Sequence, residues 1–242
     1  LHLGCEIISC DSRQFYREMR IGTAAPDEEQ LAMVKHHFIG FLSVRDYYSI
    51  SLFERDVLAL LPSLFSKCPL AIMTGGSMLY MDAVCRGLDD MPDTDPAVRQ
   101  KFIDMYHREG IGGLRLALKL LDPDHYAKVD LHNPRRVMRA LEISESTGKP
   151  YSSFLTSLQK ERDFRILKAG LTRERPELFG RIDERVDRMI DAGLEDEVAS
   201  LKMHRGLNAL NTVGYREMFM YLDGEITREQ AIALIKRNTR RY

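Results

Sequence analysis

Glu6-Ile7-Ile8-Ser9-Cys10-Asp11-Ser12-Arg13-Gln14-Phe15-Tyr16 is an apolar run that ends on a carboxylate, with Gly22-Thr23 a short way on. The run from Glu6 to Cys10 has the length and make-up of a short buried strand. An acid at a strand's carboxyl end stands where open α/β sheets bind ligands, with a polar crevice ahead of it and apolar sheet behind. Asp11 is therefore a candidate general base. Read alone, it serves equally well as the cap of the turn that follows.

Working outward, Pro69-Leu70-Ala71-Ile72-Met73-Thr74 reads as a second buried strand, and Gly75-Gly76-Ser77 turns directly into a helix from Met78 to Cys85. Strand, glycine turn, helix is an arrangement that suits a phosphate. Gly75 and Gly76 let the backbone approach an anion, and the helix start offers unpaired N–H groups. A tight crossover turn with no ligand fits the same residues. Between the two strands, His37 to Leu42 reads as a further short strand. Residues 49–66 carry a helical stripe of Leu52, Phe53, Val57, Leu58, Leu60, Leu61 and Leu64, with Ser49 or Ser51 as cap and Glu54 or Asp56 suited to the first turns. The first third is thus α/β.

The chain has 242 residues, 44% hydrophobic and 29% charged, with a net charge of −1. That length suits one large domain or a core with a smaller second one. A near-neutral chain is not a general polyanion binder, so any nucleic-acid contact must come from local patches. No run approaches the roughly 18 apolar residues of a membrane span, and no signal peptide is evident. The sequence starts without Met and stops inside the basic pattern Lys236-Arg237-Asn238-Thr239-Arg240-Arg241-Tyr242, so both ends are read as cut. Cys5, Cys10, Cys68 and Cys85 form no Cys-x-x-Cys pair and read as free thiols of a reducing cytoplasm. The adjacent His36 and His37 would point to opposite faces of a strand and do not read as a metal site.

The middle changes character. Asp89-Asp90-Met91-Pro92-Asp93-Thr94-Asp95-Pro96 is an acidic, proline-punctuated linker, with Asp95 placed to cap a helix that Pro96 begins. Residues 96–109, 112–121, 123–129 and 133–147 read as helices, closed by Gly148-Lys149-Pro150. The last carries Asn133-Pro134-Arg135-Arg136-Val137-Met138-Arg139. On a helix, Arg135 and Arg139 share a face, and Arg136 neighbours Arg139. A solvated helix face and a phosphate contact are both open readings. After a polar stretch at 152–163, Phe164 to Leu171 alternates in part like a strand. A helix then begins near Arg175, with an apolar stripe of Leu178, Ile182, Val186, Met189 and Ile190 and with Arg181, Arg185 and Arg188 on its other faces. Asn211 to Glu217 opens another helix. A last one starts at Thr227, where Thr227 and Gln230 make a weak capping box. Residues 1–88 and 163–242 are thus expected to form the α/β core, and 89–162 a helical insertion.

Several motifs occur in order: Asp11-Ser-Arg-Gln-Phe-Tyr16, Ile21-Gly-Thr-Ala24, Thr74-Gly-Gly-Ser-Met-Leu-Tyr80, Asp95-Pro-Ala-Val-Arg99, Asn133-Pro-Arg-Arg-Val-Met-Arg-Ala-Leu-Glu142, Arg181-Ile-Asp-Glu-Arg-Val186 and Thr212-Val-Gly-Tyr-Arg-Glu-Met218. On these the chain resembles the bacterial tRNA dimethylallyltransferase (isopentenyltransferase) family, relatives of the P-loop kinases, over nearly its whole length. The resemblance implies a P-loop-NTPase-like parallel-sheet core with a helical tRNA-binding insertion. It implies transfer of a dimethylallyl group from dimethylallyl diphosphate to N6 of the adenosine 3′ of the anticodon, position 37, with release of diphosphate. Asp11 matches the family's catalytic aspartate, Arg185 an arginine on the leaving diphosphate, and Thr23 the Gly-Thr turn beside them. Mg2+ would arrive on the diphosphate, held by phosphate oxygens rather than a protein cage. Contacts to the tRNA anticodon stem-loop would come from Asp11, Ser12, Arg13, Gln14, Ser77, Arg99, Arg135, Arg136, Val137, Met138 and Arg139, with the target base flipped out of its stack. The protein is expected to be a cytoplasmic monomer with no membrane contact.

Two departures from the family pattern stand out. The family's glycine-rich phosphate loop is expected just before Leu1, and Ala25 stands where many members carry lysine. Two other readings compete. Prenyl transfer to free adenine nucleotides would need no arginine-bearing insertion. Non-catalytic RNA binding, or a nucleotide kinase on the same core, would not need Asp11 as a base toward an amine.

Overall fold

The computed structural model describes residues 3–89, 91–92, 94–156 and 160–241. Asp90 and Asp93 of the acidic linker, Ser157 to Gln159 of the polar stretch, and Leu1, His2 and Tyr242 lie outside the described residues. In chain order the elements are β1 (Ile7–Ser9), α1 (Glu28–Met33), β2 (His36–His37), α2 (Ile50–Phe65), β3 (Ile72–Thr74), α3 (Met78–Arg86), α4 (Pro96–Leu121), α5 (Pro123–Tyr126), α6 (Pro134–Thr147), α7 (Arg175–Asp191), α8 (Leu194–Ser200), α9 (Tyr215–Leu222) and α10 (Arg228–Arg241). The chain divides into two compact units, residues 1–85 with 162–242, and residues 86–161. The boundaries read from the sequence fall at 88/89 and 162/163.

In the first unit β1 is the central strand of a parallel sheet ordered β2-β1-β3. Ile7 and Ile8 face His36 and His37 on one side, and Ile7, Ile8 and Ser9 face Ile72, Met73 and Thr74 on the other. Parallel strands need crossovers, and α1 and α2 lie in them. The pairing runs on past β1 through Cys10 N–H to Thr74 O at 2.7 Å. Asp11 is thereby delivered to the carboxyl end of the sheet.

Three expected strands need correction. The strand expected over 37–42 is confined to His36–His37, because Phe38 and Gly40 take positive φ (64° and 57°) and end the extended run. The strand expected over 69–74 forms only at Ile72–Thr74 and is not buried; it lies at the sheet's edge, with Ile72 and Thr74 exposed. The strand expected over 164–171 does not form, and Leu171 is fully exposed. Its partial alternation gives no register that buries one complete face.

The sheet's core is aromatic. Ser49 Oγ accepts from Leu52 N–H at 3.2 Å and starts α2, whose Phe53, Val57, Leu61 and Leu64 form the buried stripe. These pack with Ile8, Cys10, Phe15 and Val84. Phe15 stacks on Phe53 at 5.4 Å between centroids and takes the edges of Tyr48 and Tyr80 at 5.6 Å. Glu54 is not a solvated first-turn acid: it is buried and accepts from Arg162 Nη2 at 2.5 Å, while Arg162 also donates to the Ala83 and Val84 carbonyls at 2.9 Å. A second core in the same unit gathers Met19 and Val44 with Val186, Leu194, Val198, Tyr215, Met218, Phe219 and Ile235 from α7–α10. The Thr227–Gln230 box forms, by bonds at 2.8 and 3.2 Å.

The second unit is helical. Asp95 accepts from Ala97 N–H at 2.8 Å and starts α4, which kinks at Gly110 (φ 65°, ψ −162°) where the sequence separates two helices. Asn133 caps α6, and Phe102, Leu114, Leu118, Val137, Ala140 and Leu141 make the core between α4 and α6.

Candidate active site

A cleft of 340 Å3 opens in the first unit. One wall is the β1 exit, Asp11 to Arg13, with Gly76 and Ser77 from the β3–α3 turn. Facing it are Gly22 and Thr23, Arg185, Val186 and Met189 of α7, the segment Asn211 to Gly214 with Arg216, and Ile235 and Thr239 of α10.

The β1 exit is a folded turn. Asp11 Oδ1 accepts from Arg13 N–H at 2.9 Å, and Gln14 N–H returns to Asp11 O at 3.0 Å. The cap reading of Asp11 is therefore met by one carboxylate oxygen. The other, Oδ2, has no hydrogen-bond partner among the described residues and lies 3.5 Å from where a Cβ on Gly76 would sit. Ser77 Oγ accepts from Ser12 N–H and donates to Ser12 Oγ, both at 2.9 Å. Cys10, just before the acid, is buried, and burial pushes its thiol up to about 12, so it stays a protonated packing residue.

The phosphate candidates separate. Gly76 lines the cleft; Gly75 does not. A Cβ on Gly75 would lie 2.4 Å from Cys10 C and 2.6 Å from Asp11 N, at φ +155°. Gly75 thus lets two backbones pass closely. Arg13 is spent on the carbonyls of Asn208 and Ala209 at 2.8 and 3.1 Å. Gln14 donates to the carbonyls of Thr23 and Ala24 at 3.2 Å and accepts from Ser9 Oγ at 3.1 Å. Thr23 lines the cleft, but its hydroxyl donates to Met19 O at 2.5 Å, which orders the turn. Arg185 is exposed in the cleft with no hydrogen-bond or ion-pair partner among the described residues.

Sequence reasoning assigned no chemistry to Arg216, Tyr215 or Glu197. Arg216 is a second cation in the cleft whose side chain has no partner among the described residues. The motif Thr212 to Met218 carried that signal. Tyr215 is fully buried; burial first, then the adjacent Glu197 carboxylate, hold its phenol far above the usual range. Glu197 lies in the first turn of α8, a helix the sequence reading did not include, and no local signal singles it out.

In the second unit the arginine segment also divides. Arg135 and Arg136 are exposed, with side chains unpaired among the described residues. Arg139 donates to Thr94 Oγ1 at 3.3 Å, and with Arg99 flanks the buried Glu142 at 3.6 and 3.8 Å. Val137, expected at the RNA, is 0% exposed and belongs to the core between α4 and α6. It follows two arginines in sequence, but the helical turn carries it to the opposite face. Met138 packs half-buried against the same core. Among the described residues no group of three or more His, Cys, Asp or Glu could hold a metal, His36 and His37 included; His37 Nε2 instead lies 2.5 Å from Glu6. No described helix is long and apolar enough to cross a membrane.

A parallel α/β sheet with an acid at its central strand's exit, and guanidinium groups without partners among the described residues in the facing cleft, is an arrangement suited to group transfer from anionic substrates. The chain matches the IPP transferase family model over residues 14–242 and belongs to that family. A tRNA dimethylallyltransferase 2 of Porphyromonas gingivalis is 55% identical over 99% of this chain and 80% of its own length. A tRNA dimethylallyltransferase 1 of Phocaeicola vulgatus is 53% identical over 100% and 80%. Among solved structures, the full-length tRNA isopentenylpyrophosphate transferase of Bacillus halodurans is 35% identical with a TM-score of 0.66, over 100% of this chain and 76% of that one. A eukaryotic dimethylallyltransferase captured acting on tRNA shares the fold at a TM-score of 0.81, 24% identical, over 100% of this chain and 62% of that one.

Proposed function

We propose that this protein transfers a dimethylallyl group from dimethylallyl diphosphate to N6 of the adenosine 3′ of the anticodon in tRNA, releasing diphosphate. The observation that carries the reading is Asp11 Oδ2, unpartnered at the β1 exit and in the same cleft as the unpaired guanidinium groups of Arg185 and Arg216. The exocyclic nitrogen is a weak nucleophile because its lone pair is shared with the ring. As the N6–C1 bond forms, the C1–O bond breaks and its electron pair leaves with the diphosphate. The N6 proton passes to Asp11 Oδ2. Arg185 and Arg216 face the charge that develops on the leaving group. Val186, Met189, Val213 and Ile235 give the prenyl chain an apolar wall. Mg2+ brought by the diphosphate would neutralise part of its charge. The residues here fit a cation carried by the substrate rather than a caged one: the cleft offers the hydroxyls of Ser12 and Ser77, and its one carboxylate, Asp11, is kept for the proton. Arg135 and Arg136 are the cations free for tRNA phosphates.

The test is transfer of radiolabel from dimethylallyl diphosphate to unmodified tRNA with Mg2+, parent beside Asp11→Asn. Asparagine keeps the bond from Arg13 N–H but cannot take a proton. A loss of about 10²–10⁴-fold in kcat is expected. Label in free AMP instead of tRNA would replace the reading with nucleotide prenylation. Bound tRNA with no transfer by the parent would reduce it to RNA binding, and unimpaired Asp11→Asn would remove Asp11 as the base.

A further inference from the structure

Glu197, in the first turn of α8, does not line the cleft, yet it ties together two segments of the wall that faces Asp11. Its Oε2 accepts from Ile21 N–H at 2.8 Å and its Oε1 from Gly22 N–H at 2.9 Å. The same Oε1 accepts from the Tyr215 hydroxyl at 2.6 Å. Both oxygens of one carboxylate are thus filled by two successive backbone donors and a buried phenol. Ile21 and Gly22 begin the turn that carries Thr23. Tyr215 sits between Gly214 and Arg216, the segment beside that turn on the same side of the cleft.

The fit is close on every side. A Cβ on Gly22 would lie 2.6 Å from Tyr215 Cε2 and 2.8 Å from its oxygen, so only glycine allows the ring there. A Cβ on Gly214 would lie 3.9 Å from Gly22 O, so the two segments run side by side. The turn is held from within as well: Ala24 N–H reaches Ile21 O and Ala25 N–H reaches Arg20 O, each at 3.0 Å, with Ala24 at φ 49°. A non-glycine residue held at positive φ needs outside support; Gln14 Nε2 supplies it at the Thr23 and Ala24 carbonyls, and the Glu197 carboxylate anchors the start of the same turn at Ile21 and Gly22.

We propose that Glu197 is a positioning residue of the transfer reaction: through Ile21, Gly22 and Tyr215 it fixes the Gly22–Thr23 turn to the neighbouring Gly214–Arg216 segment and so sets the wall that faces Asp11 across the cleft. The inference rests on the transferase reading for its kinetic consequence and on geometry alone for its structural one. Displacing a reacting group by about 1 Å can cost about 10²-fold in rate, so the site depends on a carboxylate that never touches a substrate.

Glu197→Gln tests it, because the amide swaps one acceptor for an NH2 that opposes a backbone N–H. Far-UV circular dichroism of the variant should match the parent, while hydrogen exchange at residues 21 and 22 speeds up and kcat falls about 10–100-fold with the KM for dimethylallyl diphosphate unchanged. Tyr215→Phe keeps both amide bonds, so its exchange at residues 21 and 22 should stay near the parent and its kcat loss should be smaller. Glu195→Gln is the control on the same helix. The same swap there removes one of the two bonds from Tyr221 Oη and Arg228 Nε, both 3.1 Å and made by groups that do not line the cleft, and the variant should keep parental turnover. Glu197→Gln with parental exchange and kcat would overturn the proposal, as would an equal kcat loss in Glu195→Gln. A parent without any transfer activity would sink the functional reading alone, and exchange at residues 21 and 22 would still decide the positioning.

Discussion

Replacing Gly75 with alanine probes how the fold delivers the candidate base. Its Cβ would fall 2.4 Å from Cys10 C, 2.6 Å from Asp11 N and 2.7 Å from Cys10 O, all backbone atoms that no rotamer change can move aside. Overpacking of this kind costs about 1–3 kcal/mol. The φ of +155° is one that L side chains rarely adopt, and strained backbone of that sort costs about 1–3 kcal/mol more. Gly75→Ala should therefore lose about 2–6 kcal/mol, read as an earlier urea midpoint. The chain can relieve the clash only by separating β1's exit from the β3–α3 turn. That strains Cys10 N–H to Thr74 O at 2.7 Å and Ser77 N–H to Cys10 O at 3.1 Å. Asp11 moves with them, so transfer per folded molecule should also fall. Gly76→Ala is the matched contrast. Its Cβ meets only Asp11 Oδ2, at an ordinary 3.5 Å, so its urea midpoint should stay close to the parent's while its Cβ enters the cleft and raises KM. A Gly75→Ala protein that unfolds at the parental midpoint and turns over at the parental rate would refute the reasoning.

Arg162→Leu should cost about 3–5 kcal/mol by leaving Glu54 buried and unpaired, and Glu54→Leu added to it should recover much of the loss; a double-mutant cycle with no coupling would refute this. His125 has its pKa lowered, chiefly by burial, so the unfolded chain takes that proton more readily. Its contribution to stability is complete above about pH 6.5 and lost as pH falls through and below that value. Asp122 opposes its own burial with hydrogen bonds from Ser152 and His125 that leave its pKa lowered, so its contribution persists above about pH 3.9 and is lost only as pH falls further. Urea unfolding of His125→Phe should thus fall less than the parent's between pH 7 and 5, and equal slopes would count against it. Arg135→Ala and Arg136→Ala should each weaken tRNA binding and lower the salt slope by about 1; filter binding across a salt series decides, and an unchanged slope would place both arginines away from phosphate.

Legibility from sequence followed the range of the forces involved. Helix caps act over three residues, so Ser49 and Asp95 were readable in place. Apolar stripes act over a few turns, so the buried face of α2 was readable too, whereas the sequence placed Glu54 only as suited to the first turns, because its partner lies at Arg162, 108 residues on. Strands were less legible. Pairing is supplied by another segment, so neither the end of the extended run at Phe38 nor the unpaired stretch at 164–171 could be read from local alternation.

The site divides along the same line. The position of Asp11 at a strand exit, the Gly-Gly-Ser turn and the ordered motifs are local, and the sequence alone determined them. Which arginines remain free was a tertiary decision. Arg13, Arg99 and Arg162 look as available in the chain as Arg135, Arg136, Arg185 and Arg216, and each of the first three meets a carbonyl or carboxylate brought to it from elsewhere in its unit, whereas Arg139 meets Glu142 one turn on along its own helix. Glu197 is the extreme case. Its carboxylate matters because folding brings two amides about 175 residues earlier in the chain and a phenol 18 residues later to the same pair of oxygens, and a hydrogen bond has no trace in sequence when its partners are set by the fold.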